Sequence, residues 1–228
     1  MCGRYIFISR DDEIRELLYL ASFGSGVELG PDDLPDGDIT PGMRMPVITG
    51  IRENSPENVK AEIRAEMAVW GIPLSGGKNL VINSRRERIM SSPLFSKLLG
   101  AGRCAVPASG YYEWSREYED DEASRDVQIS FFGPAPSAPA RRKKISRKYL
   151  FSMPAQKIIY MAGVFGEFDG ETRYSIITGD AVGKAASIHG RMPLILTKEN
   201  MSRWLNDEDS VPDILSGPIP EPEYRLAV

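Results

Sequence analysis

Cys2 has the position with the most chemical consequence in this chain. Removal of the initiator Met1, common before a small second residue, leaves a thiol and a free α-amine on adjacent carbons. The amine titrates at about 7.7–8.0 and the thiol near about 8.5, so both are partly nucleophilic near neutral pH, and nearby positive charge would favour thiolate further. Such a 1,2-aminothiol condenses with an aldehyde: the amine forms an imine and the thiol closes on it to give a thiazolidine. The same terminus can also attack an amide. Three further sites have suitable chemistry. His189, the sole histidine, lies in SIHGRMP and suits proton transfer. Glu113 in SGYYEW has aromatic neighbours that can raise its pKa. INSRRER (82–88) supplies Asn83, a donor and acceptor, beside Arg85, Arg86 and Arg88, whose guanidinium groups suit phosphate. Each also has a plain reading: a chance cysteine, a structural histidine, an outward strand carboxylate, a solvated basic turn.

Elements must bring these residues together. Residues 11–22 have one apolar stripe (Ile14, Leu17, Leu18, Ala21) behind a capping Asp11 or Asp12, and predict a helix. The glycine-, proline- and aspartate-rich stretch 24–45 reads as a loop. Alternation over 63–70 predicts a half-buried strand ending at Trp70. Further strands are expected at 46–51, 79–83, 103–107, 110–114, 127–132, 148–153, 157–168, 173–179 and 194–197. Helices are expected at 93–100, capped by Ser92, at 180–188 and at 198–206. Residues 116–147 read as an inserted loop with an acidic half, EYEDDE, and a basic half, RRKKISRK. Residues 207–228 read as a surface tail. Strands without regular helix alternation predict a single α+β domain over 1–228, with a β-rich, mostly antiparallel, barrel-like core and a few peripheral helices.

Composition bounds the rest. The chain has 228 residues, 42% hydrophobic and 26% charged, enough for one large core. No apolar run approaches the roughly 18 residues of a membrane span, and MCGRYIFISR lacks a secretory apolar stretch, so a cytoplasmic protein is expected. Two cysteines allow at most one disulfide, and two thiols with one histidine fall short of a zinc site. No phosphate-cradling glycine motif is present. A net charge of −4 argues against a protein that coats nucleic acid with its whole surface but leaves room for a local basic groove.

Five ordered blocks join these signals: MCGRY at the start, WGIP at 70–73, NSRRE at 83–87, RCAVPASGYYEW at 103–114 and HGRMPLIL at 189–196. Together, spread from residue 1 to about 206, they resemble the SOS response-associated peptidase family of abasic-site processing proteins. The resemblance implies an α+β domain with a basic groove for single-stranded DNA. It also implies an N-terminal cysteine that forms a thiazolidine with the ring-opened abasic sugar. By that resemblance Cys2 is the nucleophile, Asn83 orients the terminus or the opened sugar, Glu113 exchanges protons, and His189 assists ring opening. Arg4, Arg85 and Arg191 would contact phosphates, and Trp70 would stack or pack beside a displaced base. No metal or organic cofactor is required, and a monomer is expected. The chain departs from the family pattern in a short segment after WGIP, in Ser84 and Arg88 where the family has Ala and Thr, and in the longer 116–147 stretch. A cysteine peptidase, perhaps one acting only on its own Met1, and a noncatalytic single-strand binding module remain open.

Overall fold

Short β-forming runs separated by glycine and proline make a strand-rich fold. A computed structural model of the chain describes residues 2–22, 34–50, 63–74, 79–115, 117–120, 142–154 and 156–227. In chain order the first half holds β1 (Tyr5–Phe7), α1 (Asp12–Ser22), β2 (Gly37–Ile39), β3 (Arg44–Gly50), β4 (Ile63–Trp70), β5 (Ile72–Pro73), β6 (Leu80–Val81), β7 (Asn83–Arg85) and α2 (Pro93–Ala101). Next come β8 (Arg103–Ala108), β9 (Gly110–Trp114), β10 (Glu117–Asp120), β11 (Arg142–Ile145), β12 (Lys148–Ser152), β13 (Ile159–Phe168) and β14 (Glu171–Asp180). The chain ends with α3 (Ala185–Ile188), β15 (Arg191–Pro193), β16 (Ile195–Leu196), α4 (Lys198–Asn206), α5 (Val211–Ser216) and β17 (Glu223–Leu226).

Five strands close on themselves. β14 pairs with β4, β4 with β3, β3 with β8, β8 with β13, and β13 returns to β14. All these pairings are antiparallel except β14–β4. Closure removes the exposed sheet edges within the ring, as the barrel-like expectation required. A glycine permits the tight fit. A Cβ on Gly163 would lie 2.9 Å from Cys104 Sγ and 3.1 Å from the Ser175 carbonyl, so this point of β13 has no room for a side chain. A second sheet, ordered β17-β12-β9-β1-β2, packs its inner aromatic residues against the same core.

WGIP now has a physical reading. Trp70 ends β4 with its indole N–H donated to the Ile82 carbonyl at 3.0 Å. Gly71 has φ +115, a conformation disfavoured for other residues, and turns the chain into β5. The first helix starts as expected, with Asp11 Oδ1 accepting from the Glu13 N–H at 3.0 Å. No helix among the described residues is long and apolar enough to cross a membrane.

Several expectations are corrected. Ser92 occupies the N-cap of α2, but its hydroxyl makes no cap bond; Pro93, whose fixed φ suits the first helical position, starts the helix without one. The expected helix 180–188 contracts to α3, because β14 runs on to Asp180, where it pairs with Arg191. The strand expected at 79–83 breaks at Ile82, whose carbonyl turns to Trp70 and to the Ile176 N–H. LILT contributes only β16 at its centre. The 207–228 segment is structural and not a surface tail: α5 buries Val211, Ile214 and Leu215, and β17 pairs along β12. The 116–147 insertion contains the ribbon β10–β11, whose register sets Glu119 opposite Lys143 and Asp120 opposite Arg142. The backbones of the acidic and basic halves thus pair with each other. The strand expected at 127–132 and residues 24–33 of the expected loop lie outside the described residues, while the rest of that loop holds β2, paired with β1, and the start of β3.

Candidate active site

The site begins with the entry of the chain. β1 lies antiparallel to β9, with Tyr5 opposite Tyr111, and the Tyr112 N–H donates to the Arg4 carbonyl at 2.9 Å. This pairing draws Cys2 alongside the end of β9. Strand alternation sends Tyr111 and Glu113 inward and Tyr112 and Trp114 to the other face. On that outer face the Lys148 ammonium sits 3.7 Å from the Tyr112 ring centroid, and the Arg4 guanidinium carbon lies 5.9 Å from that of Trp114.

Cys2 is fully buried, and its thiol points to the Arg4 carbonyl at 3.7 Å. Burial pushes the thiol pKa well up, and the Glu113 charge adds to the rise. The thiol thus sits in a dry setting beside a carboxylate, which favours its protonated form. Glu113 is 3% exposed, and burial raises its carboxyl above the ordinary range, partly offset by nearby positive groups including His189. Asn83, at the start of β7, donates from Nδ2 to the Cys2 carbonyl at 2.7 Å. The parallel pairing of β7 on β14, with Asn83 opposite Ile176, holds it there. The Asn83 Oδ1 is buried without a hydrogen-bond partner among the described residues.

His189 follows α3. Its Nδ1 lies 3.9 Å from Glu113 Oε1, 3.0 Å from the Arg191 N–H and 3.1 Å from the Arg191 carbonyl. Nδ1 thus faces a donor and an acceptor of one residue: with the proton on Nε2 it accepts from the Arg191 N–H, and with a proton of its own it donates to the Arg191 carbonyl. When Nδ1 gains a proton, it faces the Arg191 carbonyl and the Glu113 carboxylate.

The expected phosphate contacts divide. Arg85 is exposed. Arg4 is 38% exposed in its side chain and shares Asp38 with Lys148, each at 3.1 Å, so this trio keeps a net positive charge. Arg191 is already engaged: NH1 binds Glu87 at 2.8 Å and Asp180 at 2.7 Å, while NH2 binds Glu87 at 3.0 Å and the Thr178 carbonyl at 2.7 Å. Trp70 has no exposed ring face. It packs against Tyr5, centroids 5.2 Å apart, and Tyr174, stacked at 6.4 Å, which leaves it the packing role. Sequence reasoning passed over Asp38 and Asp180, named Glu87 only within the NSRRE block, and named Trp114 only as an aromatic neighbour of Glu113. Of these only Trp114 had a local signal, its two-residue offset from Tyr112.

The family model of the SOS response associated peptidase (SRAP) matches residues 1–226. The chain belongs to the SRAP family. The likeness drawn from five short blocks thus extends along nearly the whole chain. The abasic site processing protein YobE of Bacillus subtilis is 29% identical over 227 residues, covering 94% of this chain and 86% of that protein. The abasic site processing protein YoqW of Bacillus phage SPbeta is 28% identical over 229 residues, covering 94% and 84%. Among solved structures, a phage-related protein from Bordetella bronchiseptica superposes with a TM-score of 0.64 at 21% identity, covering 99% of this chain and 94% of that one, a likeness of fold.

Proposed function

We propose that this SRAP protein, once Met1 is removed, captures the aldehyde of an abasic site in single-stranded DNA as a covalent thiazolidine on Cys2. The observation that carries the reading is the meeting of Cys2, Asn83, Glu113 and His189, drawn from four distant parts of the chain. The names of the curated relatives agree with an abasic-site substrate.

The closed sugar must open first. That step moves a proton from the anomeric hydroxyl to the ring oxygen, and His189 and Glu113 form a donor–acceptor pair for it. The Cys2 α-amine then adds to the aldehyde carbon. The carbonyl oxygen takes up protons and leaves as water, giving the imine. The thiol adds to the same carbon, its proton passes to the imine nitrogen, and the C–S bond closes the five-membered ring. The net change is aldehyde plus aminothiol to thiazolidine plus water, with no oxidation. The thiol enters last, onto an activated carbon, so the raised thiol pKa suits this order better than direct thiolate attack on a peptide bond. Arg4 and Arg85 would track the phosphates.

The test is a denaturing gel. Protein verified by intact mass to begin at Cys2 meets single-stranded DNA with one abasic site. A heat-stable adduct absent with undamaged DNA and lost in Cys2→Ala is the expected result. No adduct from that material overturns the reading, and peptide hydrolysis or plain binding by the same protein then becomes the activity to measure.

A further inference from the structure

We infer that Glu87 is a positioning residue for His189, acting through Arg191. The inference rests on the proposed role of His189 as the proton shuttle of the site. Arg191 presents two different groups in two directions. Its backbone N–H and carbonyl both face His189 Nδ1, at 3.0 and 3.1 Å, so the angle of this one residue decides which protonation state Nδ1 can satisfy. Its guanidinium reaches the other way and is held by Glu87 through two bonds of 2.8 and 3.0 Å.

The grip on Arg191 is uneven. Glu87 binds it as a fork on a fork, the geometry that fixes orientation best, and its carboxyl is held below the usual range chiefly by that contact. Asp180 adds a single bond of 2.7 Å from a side chain that is 79% exposed. The Thr178 carbonyl adds one more, at 2.7 Å. Between His189 and Arg191, Gly190 has no heavy atom within 4 Å of where a side chain would begin. The turn is tied by the Ala181 N–H to the Gly190 carbonyl, by the His189 N–H to the Ala185 carbonyl, by the pairing of Arg191 with Asp180, and by the Arg191 side chain. Glu87 also sits two residues beyond β7, whose first residue Asn83 holds the Cys2 carbonyl. One ion pair thus links the element that orients the nucleophile to the turn that orients the histidine. Among the described residues Glu113 on β9 is the charged group that faces His189, at 3.9 Å, and the guanidinium of Arg191 on β15 is balanced by Glu87 and Asp180.

His189 is the only histidine in the chain, so its imidazole nitrogens give unambiguous NMR signals. In the wild type the neutral ring is expected as the Nε2–H tautomer. Glu87→Gln is expected to show a mixture of tautomers. Its crosslinking rate constant should fall about tenfold or more, as small displacements of a proton-transfer group do, with affinity for intact single-stranded DNA unchanged within about twofold. Asp180→Asn is expected to move both readouts less. Arg191→Lys, which keeps a cation but not the fork, should reproduce the tautomer mixture, and it reads the same contact should Glu87→Gln fail to fold. A wild-type tautomer and rate in these variants overturn the inference. So does tighter, more salt-dependent DNA binding by Glu87→Gln at an unchanged rate, which would make Glu87 a mask over a phosphate-binding arginine. A wild-type protein that forms no crosslink defeats the proposed function instead, while the tautomer still reports on the clamp.

Discussion

The Nδ1 of His189 lies 3.9 Å from Oε1 of Glu113, at the point where a turn after α3 meets the inner face of β9. This distance couples the two charges, and Glu113 is the member of the pair buried away from water. Burial raises its carboxyl pKa above the ordinary value of 4.5, so the folded protein holds this proton more tightly than the unfolded chain does. The stabilisation this provides is complete below the ordinary carboxylate range and is lost as pH rises through the raised value. Glu113→Gln, which stays neutral, is expected to melt higher than wild type at pH 7–8 and to lose that advantage near pH 4. Thermal melts across this range check it; a constant offset at every pH would sink the linkage.

The same substitution removes the proton acceptor of the proposed chemistry. Crosslinking by Glu113→Gln should slow by about 10²-fold or more, the usual scale for a general acid–base group. Stability and activity then move in opposite directions at neutral pH. A variant that is more stable and equally active would remove Glu113 from the mechanism.

Asn83 tests orientation. Its Nδ2 bond to the Cys2 carbonyl, 2.7 Å long, fixes the residue whose amine and thiol must both reach one carbon. Asn83→Ala should lose about 0.5–1.5 kcal/mol of stability, a typical value for one hydrogen bond. It should also slow crosslinking while DNA affinity stays near wild type. Stopped reactions quantified on gels, beside equilibrium binding to undamaged DNA, separate the two. A loss confined to affinity would make Asn83 a DNA contact.

Much of this architecture could be read from the sequence. Alternation over residues 63–70 predicts β4 at its observed bounds, and Asp11 caps α1 because a short carboxylate reaches the second N–H of a helix. The site residues lay in recognisable blocks. What stayed hidden was set by long-range pairing. Nothing near Arg191 signals that Glu87 will take its guanidinium, and nothing near Trp70 says that Tyr5 and Tyr174 will pack against it. The polar, proline-rich end resembled a tail because a six-residue helix and a four-residue edge strand have too few residues to show a period.

Salt dependence can divide the arginines. Each phosphate contact to a single strand contributes about 0.7 to the slope of log affinity against log salt. Arg85→Ala and Arg4→Ala are each expected to flatten the slope by about that amount, with Arg4 the weaker because it already pairs with Asp38. Fluorescence anisotropy over a salt series reads this directly. Unchanged slopes in both variants would move the DNA path away from this face.

Trp70 predicts a stability effect in place of a binding effect. The ring is fully buried, and its N–H satisfies the Ile82 carbonyl beside β7. Trp70→Ala should cost about 3–5 kcal/mol, the usual range for emptying a large buried aromatic site. Trp70→Phe keeps most of the packing and loses the N–H bond, so it should fold with a lower melting temperature. It should bind intact single-stranded DNA with wild-type affinity, since no face of the ring reaches solvent. Because Ile82 immediately precedes Asn83, the freed carbonyl should loosen the start of β7, and a modest fall in crosslinking rate is the expected secondary effect. Weaker DNA binding by a well-folded Trp70→Phe would show instead that the ring becomes accessible to a base when DNA is bound.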